Sequence, residues 1–234
     1  MYTVYMLPGR GQFTIFLHMY RLYLIRHAPT KANLSGSILR NYDGSSILPL
    51  SKADIERWRL SVGIHICGFP SKIHISPALR CRETANALFP WMETVPLDEF
   101  REFDCSGLGN VKFWEISEDK FASLVPLGKD TMLGRIDEAI SSISTPMREE
   151  NAVVIGHGMF IRAMWWWFKE SIDARVALCK CALNKSAYDL INSNGFVFKN
   201  LDMIEAWFDK SPEGLKVTGL IKREFESGES TFYI

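Results

Sequence analysis

The sequence has no excess of charge of either sign and no long hydrophobic run. Its 27 Lys and Arg residues equal its 27 Asp and Glu residues, so no overall field attracts the chain to nucleic acid or to an anionic membrane. No stretch reaches the roughly 20 apolar residues of a membrane-spanning helix. The run Trp165–Trp167 is soon followed by Lys169 and Glu170, which favours core packing or a partner surface. We therefore expect a cytoplasmic protein without nucleic-acid or membrane partners, in which any anion site is a local cluster of cations.

The sequence is also poor in cysteine patterns. Its five cysteines are odd in number and include no C-x-x-C pair, and Cys179 and Cys181 are too close together for a zinc knuckle and have no histidine partner nearby. This usage favours reduced, mostly buried thiols in a cytosolic protein. We expect neither a metal nor a cofactor.

No repeat, low-complexity tract or linker divides the chain. Near the N-terminus, the segment 8–12 (PGRGQ) breaks the apolar residues into runs shorter than the roughly 7–15 residues of a signal-peptide core. We interpret residues 1–18 as an extension of undefined order and residues 19–234 as one domain. Met19 is a plausible alternative start.

Strand-like and helix-like patterns alternate along most of the chain. Strands are predicted at 22–26, at 72–76, near 95 and at 152–156, with helices after 51 and 77 and at 112–125, 131–143 and 159–169. Segments 187–191 and 196–199 are typical of a β-hairpin. The C-terminal segment, ending LKVTGLIKREFESGESTFYI, has a mixed pattern that assigns no element. The alternation predicts an α/β fold, a three-layer α/β/α sandwich with a mostly parallel, doubly wound sheet.

Imidazole and guanidinium groups follow the ends of these strands. Arg26 and His27 end the first strand, His157 follows the buried strand AVVIG, and Arg80 lies in the first turn of a helix after the second strand. Parallel strands present their carboxyl ends at one sheet edge. Planar guanidinium groups there would hold a tetrahedral dianion, and a neutral imidazole would attack its phosphorus. The acidic segment 97–104 offers carboxyl groups as proton donors.

Four blocks of sequence carry a family resemblance. RHAPTKAN at 26–33, SPALRCRETA at 76–85, FREFDCSGL at 100–108 and VVIGHGMFIR at 153–162 resemble, in order, the characteristic blocks of the histidine phosphatase superfamily, in its phosphoglycerate mutase-like branch. The resemblance implies the same three-layer α/β fold. It implies His27 as the nucleophile and Glu102 as the proton donor. The other implied site residues are Arg26, Arg80 and His157 for holding phosphate, and Thr30 and Asn33 for binding substrate.

The chain departs from the family pattern in three places. Ala28 replaces the usual glycine, and its methyl group is unstrained only at negative φ. Cys105 and Ser106 disturb the glycine spacing after Glu102, and the second acid is missing or shifted toward Glu115. Glu99 and Asp104 therefore remain alternative proton donors. Finally, Cys81 stands where a small alanine is common, which we interpret as structural.

Three functions remain open at this point. The first is a phosphomonoesterase with a phosphohistidine intermediate on a small phosphorylated substrate. The second is a mutase that returns the phosphoryl group to a bound intermediate. The resemblance disfavours it, because mutases of the family have a longer insertion between the acid and the second histidine than the interval from Glu102 to His157. A lid formed by the C-terminal segment would favour it. The third is a non-catalytic module that binds a phosphorylated ligand. The case for a metal hydrolase is weaker than these three, because only two histidines are predicted to meet at the sheet edge.

The residues that would select a substrate lie in the loop 34–50, after Asp104 and in the C-terminal tail. Lys31, Arg40 and Arg101 are candidates for contacting a second anionic group. The pattern does not specify the substrate or the oligomeric state.

Overall fold

The computed structural model describes residues 19–35, 44–103, 129–147, 150–176, 199–211, 214–227 and 230–233. The predicted helix at 112–125 and the predicted hairpin lie outside these residues. The N-terminal extension also lies outside them, so its proposed boundary stays a prediction.

Within the described residues, the strands form one seven-stranded sheet in the order β3-β2-β4-β1-β5-β6-β7. The strands are β1 (Met19–Arg26), β2 (Lys72–Ile75), β3 (Glu93–Pro96), β4 (Ala152–Gly156), β5 (Met203–Ser211), β6 (Gly214–Arg223) and β7 (Ser230–Tyr233). Strands β3, β2, β4 and β1 pair in parallel. Strands β5, β6 and β7 extend the sheet as antiparallel neighbours of β1. The predicted doubly wound parallel sheet is thus confirmed, with an antiparallel extension that the sequence pattern did not assign.

Helices cover both faces of this sheet. They are α1 (Lys31–Ser35), α2 (Lys52–Ser61), α3 (Leu79–Leu88), α4 (Lys129–Met147) and α5 (Gly158–Val176), with short 3-10 turns at Gly63–His65 and Asp98–Phe100. Side chains alternate between the faces of a strand. Leu22 and Leu24 pack with residues of α4 and α5, whereas Tyr23 and Ile25 pack with residues of α2 and α3. The predicted three layers are therefore confirmed.

A local sequence signal accounts for the start of α2. Ser51 caps α2: its hydroxyl oxygen accepts from the N–H of Asp54 at 3.0 Å, and the Asp54 carboxylate accepts from the N–H of Ser51 at 3.2 Å. In α5, Trp165 is buried and its two neighbouring tryptophans pack against the core, which confirms core packing for this run. No helix in the described segments is long and apolar enough to cross a bilayer.

The C-terminal segment belongs to the sheet. β5 pairs with β1 along seven residue positions, and β6 and β7 follow outward. The described part of this segment therefore does not form the separate lid that the mutase hypothesis invoked. Its entry turn places Leu201 at φ 67°, a left-handed conformation that costs a non-glycine residue roughly 1–2 kcal/mol.

Candidate active site

Strands β1 and β4 bring the two histidines together. The strands pair in parallel through Arg26 and Gly156, and the next backbone N–H, that of His27, donates to the Gly156 carbonyl at 3.0 Å. The His27 and His157 rings lie with their centroids 5.5 Å apart, and both residues are almost fully buried. Parallel pairing thus places two residues that are distant in sequence at one sheet edge.

The His27 ring is oriented by the backbone carbonyl of the next residue, Ala28. Nδ1 lies 2.7 Å from the Ala28 carbonyl oxygen; because a carbonyl only accepts, Nδ1 carries the proton and donates it. The lone pair of the neutral ring then lies on Nε2. Burial, followed by the charges of Arg80 and Arg26, holds the pKa of His27 well below its usual 6.5. The ring is therefore neutral and nucleophilic at neutral pH.

His157 lies between a guanidinium group and a hydroxyl group. Arg80 Nη2 donates to its Nδ1 at 3.0 Å, and its Nε2 lies 2.7 Å from Ser76 Oγ. Since a guanidinium group only donates, Nδ1 is the acceptor and Nε2–H donates to Ser76. Burial and the charge of Arg80 lower the pKa of His157 well below 6.5. This imidazole is also neutral, and it fixes the direction of Arg80.

Arg80 lies in the first turn of α3 and is 1% exposed. One turn later, Thr84 Oγ1 donates to the Arg80 carbonyl at 2.6 Å and accepts from the N–H of Ala28 at 2.9 Å. Thr84 therefore connects the loop after β1 to the turn that carries Arg80. Among the described non-glycine residues, only Leu201 has positive φ, so the methyl group of Ala28 is unstrained.

Arg26 lies across the start of α5. A Cβ atom on Gly158 would lie 3.0 Å from Arg26 Nε and 3.1 Å from its Cζ, so glycine permits this close approach of guanidinium and backbone. Burial lowers the pKa of Arg26 to about 10. The group therefore remains charged at neutral pH.

Glu102 contacts the same helix start. Its Oε2 accepts from the N–H of Met159 at 3.1 Å, and its Oε1 accepts from the N–H groups of Phe160 at 2.9 Å and Phe103 at 3.1 Å. These donors lower its pKa, but burial outweighs them and raises the pKa above the usual 4.5. This carboxyl group lies beside the residues that follow His157. Of the alternative donors, Glu99 lies in the 3-10 turn Asp98–Phe100, and Asp104 lies outside the described residues.

Thr30 and Asn33 bond to one another. Asn33 Oδ1 accepts from both the N–H and the hydroxyl of Thr30 at 3.0 Å, and Thr30 Oγ1 accepts from the N–H of Asn33 at 3.3 Å. Their side-chain oxygens thus stabilise the start of α1. Beside them, Thr30 pairs with Ile47, and the N–H of Leu48 donates to the Pro29 carbonyl at 2.7 Å. The part of the loop from 44 to 50 therefore lies next to the end of β1, as predicted, whereas residues 36–43 lie outside the described residues.

Cys81 packs against the second histidine. Its sulfur lies 3.7 Å from His157 Nε2 and 3.7 Å from the Gly156 carbonyl oxygen. Burial raises the pKa of this thiol to about 12. It stays protonated, in agreement with a structural role.

Sequence reasoning missed three side chains that contact the site: Ser76, Thr84 and Asn200. The first two lie inside the block SPALRCRETA, so a signal for them was present. Asn200 Nδ2 donates to the His27 carbonyl at 2.7 Å. Asn200 lies in a part of the chain without a recognisable motif, and only the pairing of β5 with β1 brings it to the site.

Comparison with known proteins agrees with this architecture. A phosphoserine phosphatase mutant from Entamoeba histolytica superposes with a TM-score of 0.61 at 15% identity, over 86% of this chain and 96% of that one. The product of a Mycobacterium tuberculosis open reading frame superposes with a TM-score of 0.58 at 13% identity, over 85% of this chain and 95% of that one. A mycobacterial glucosyl-3-phosphoglycerate phosphatase superposes with a TM-score of 0.57 at 15% identity, over 86% of this chain and 97% of that one. These likenesses establish the fold.

The sequence itself establishes the family. No curated protein matches the chain closely enough to count as a relative. The profile of the histidine phosphatase superfamily, branch 1, matches residues 22–189, which include both histidines, Arg80 and Glu102. The chain therefore belongs to the histidine phosphatase superfamily.

Proposed function

We propose that this protein is a phosphomonoesterase that hydrolyses small phosphorylated substrates through a phosphohistidine on His27. One observation carries the proposal: a buried, neutral His27 ring, held by Nδ1, lies 5.5 Å from a neutral His157 that itself contacts Arg80. A nucleophile that is already deprotonated, next to permanent cations, suits attack on a phosphate dianion.

Arg26, Arg80 and His157 hold the phosphate in this proposal. A guanidinium group binds two phosphate oxygens with parallel N–H bonds. His157 acts through Arg80 in this proposal, because its Nδ1 accepts from Arg80 Nη2 and so directs this guanidinium group toward the phosphate. Thr30 and Asn33 border the phosphate; because their side-chain oxygens already bond to each other, the Asn33 amide nitrogen is the atom we assign to substrate contact.

The reaction proceeds in two displacements. His27 Nε2 attacks phosphorus and forms an N–P bond while the bond from phosphorus to the ester oxygen breaks, and Glu102 gives its proton to that oxygen. Water then attacks the phosphorus, Glu102 accepts a proton from this water, and the N–P electron pair returns to Nε2. The products are an alcohol and inorganic phosphate, and both side chains regain their starting states. The raised pKa of Glu102 supports the donor role.

The structural neighbours suggest which substrates to test. The Entamoeba protein is described as a phosphoserine phosphatase, and another neighbour as a glucosyl-3-phosphoglycerate phosphatase. We therefore propose small phosphomonoesters as the substrate class. A panel would contain phosphoserine, 3-phosphoglycerate, sugar phosphates, nucleotides and an aryl phosphate.

The experiment compares phosphate release by wild type, His27→Ala and His65→Gln. His65 lies in the 3-10 turn Gly63–His65, near Arg223 and Glu205, so its variant controls for the loss of an imidazole outside the proposed site. We expect turnover by wild type and by His65→Gln, and loss of at least about 10³-fold in His27→Ala. Equal rates in wild type and His27→Ala would contradict the proposal, as would phosphate binding without turnover of any ester.

Quenching during turnover tests the intermediate. A phosphohistidine would appear as acid-labile, alkali-stable protein phosphate in wild type and be missing in His27→Ala. Release of phosphate to water rather than to an added phosphorylated acceptor separates hydrolysis from the mutase alternative.

A further inference from the structure

The turn Lys199–Asp202 lies against the end of β1, next to the backbone of Arg26, the residue before His27. The N–H of Leu201 donates to the Arg26 carbonyl, and the N–H of Arg26 donates to the Asp202 carbonyl, each at 3.1 Å. These two bonds continue the pairing of β1 and β5 up to the residue before the nucleophile. The turn is therefore in backbone contact with the site.

Contacts other than those of Asn200 fix the conformation of this turn. The Asp202 carboxyl group accepts from the N–H groups of Lys199 at 2.8 Å and Phe225 at 2.9 Å. The Leu201 carbonyl accepts from Trp58 Nε1 at 3.0 Å. These bonds hold Leu201 at φ 67°. The side chain of Asn200 is consequently not needed to shape the turn.

The Asn200 side chain instead contacts the segment that follows β1. Its Nδ2 donates to the His27 carbonyl at 2.7 Å and to Asn33 Oδ1 at 3.3 Å. The same peptide group, between His27 and Ala28, donates its N–H to Thr84 Oγ1 at 2.9 Å. Side chains from two distant segments therefore hold both polar ends of one peptide plane. Because the next carbonyl, that of Ala28, accepts from His27 Nδ1, the orientation of this plane sets the direction of the imidazole ring.

We propose that Asn200 is a positioning residue, which acts through the His27–Ala28 peptide to aim Nε2 of His27 at the phosphorus. This inference rests on the proposed function. Loss of the amide would let the peptide rotate and misdirect the ring. Arg26, Arg80 and His157 would still hold phosphate, so ground-state binding would change little.

The test measures Asn200→Ala and Asn200→Asp against a matched control, Asn151→Ala. Asn151 also joins two segments through its amide, donating to the Cys67 carbonyl and accepting from the N–H of Arg21, but it lies at the opposite end of the sheet. We expect kcat for an aryl phosphate to fall on the order of 10- to 100-fold in Asn200→Ala, with KM and competitive inhibition by inorganic phosphate unchanged. In Asn200→Asp, a carboxylate oxygen replaces the amide nitrogen and faces the His27 carbonyl oxygen and Asn33 Oδ1. The kcat of this variant should therefore fall further than that of Asn200→Ala. Asn151→Ala should keep the wild-type kcat.

Two outcomes would overturn the positioning role while leaving the phosphatase proposal intact: an unchanged kcat in both Asn200 variants, or losses in kcat and phosphate affinity matched by Asn151→Ala. Absence of turnover by wild type would overturn the proposed function instead. The positioning role is then decided by the His27 Nδ1–H resonance in 15N-histidine-labelled protein, assigned by its loss in His27→Gln. We expect this resonance to shift or broaden in Asn200→Asp and not in Asn151→Ala; no change in either variant would overturn the inference.

Discussion

Two glutamates on the same sheet scaffold, Glu102 and Glu205, have opposite surroundings. Glu205 on β5 is fully buried, and its carboxylate accepts from Arg21 Nη1 at 3.1 Å and from Arg223 Nη2 at 2.7 Å. The indole N–H of Trp207 adds a bond at 2.7 Å. Glu102 instead accepts from backbone N–H groups at the start of α5.

The difference separates a carboxylate that joins strands from the carboxyl group that we propose as the proton donor. Two guanidinium groups balance the charge of Glu205, so this cluster stabilises the contact of β1 with β5 and β6. At Glu102, burial raises the pKa by more than the backbone N–H groups and the charge of Arg80 lower it. A carboxyl group with a raised pKa at the start of the helix that follows His157 is suited to carrying a proton.

The largest expected effect is that of Glu102→Gln on esters with a poor leaving group. The variant cannot protonate the departing oxygen, so kcat for an alkyl phosphate should fall about 10²- to 10⁴-fold. An aryl phosphate, whose leaving group departs without a proton, should lose much less. Steady-state rates on the two esters check this, and equal losses on both would remove Glu102 from the donor role.

Glu205→Gln should instead reduce stability. It leaves two largely buried guanidinium groups, those of Arg21 and Arg223, without their carboxylate, which costs about 3 kcal/mol of unfolding free energy. Urea unfolding measures this cost. The folded fraction should keep the wild-type kcat, because Glu205 pairs in register with Tyr23, four residues before His27. Wild-type stability in this variant would show that the two carboxyl groups do not differ as described.

The smallest effect is the pH dependence of the wild type on an alkyl phosphate. Burial holds the pKa of His27 well below 6.5, so the ring stays neutral as the pH falls below that usual value. Glu102 must be protonated, so activity should fall as the pH rises through its raised pKa, by up to about tenfold per unit. Dividing wild-type rates by Glu102→Gln rates at each pH removes the ionisation of the substrate. A ratio that does not vary with pH would contradict the assignment.

Sequence patterns were sufficient for the parallel half of the sheet and for the two histidines. The run AVVIG is apolar throughout because β4 is buried on both faces, and its bounds match the prediction. The antiparallel strands β5 to β7 were not assigned, because Glu205, Lys222 and Arg223 interrupt their apolar pattern. Burial of these charges depends on partners such as Arg21, which no local window contains.

By itself, the sequence determined which residue types end the strands and therefore which chemistry meets at the sheet edge. Only the tertiary structure decided how those groups are held. His157 hydrogen-bonds to Arg80 and Ser76. The His27–Ala28 peptide hydrogen-bonds to the side chains of Thr84 and Asn200. The reason is physical. Strand periodicity is local, whereas hydrogen-bond partners and the desolvation that shifts a pKa depend on which distant segments pack together.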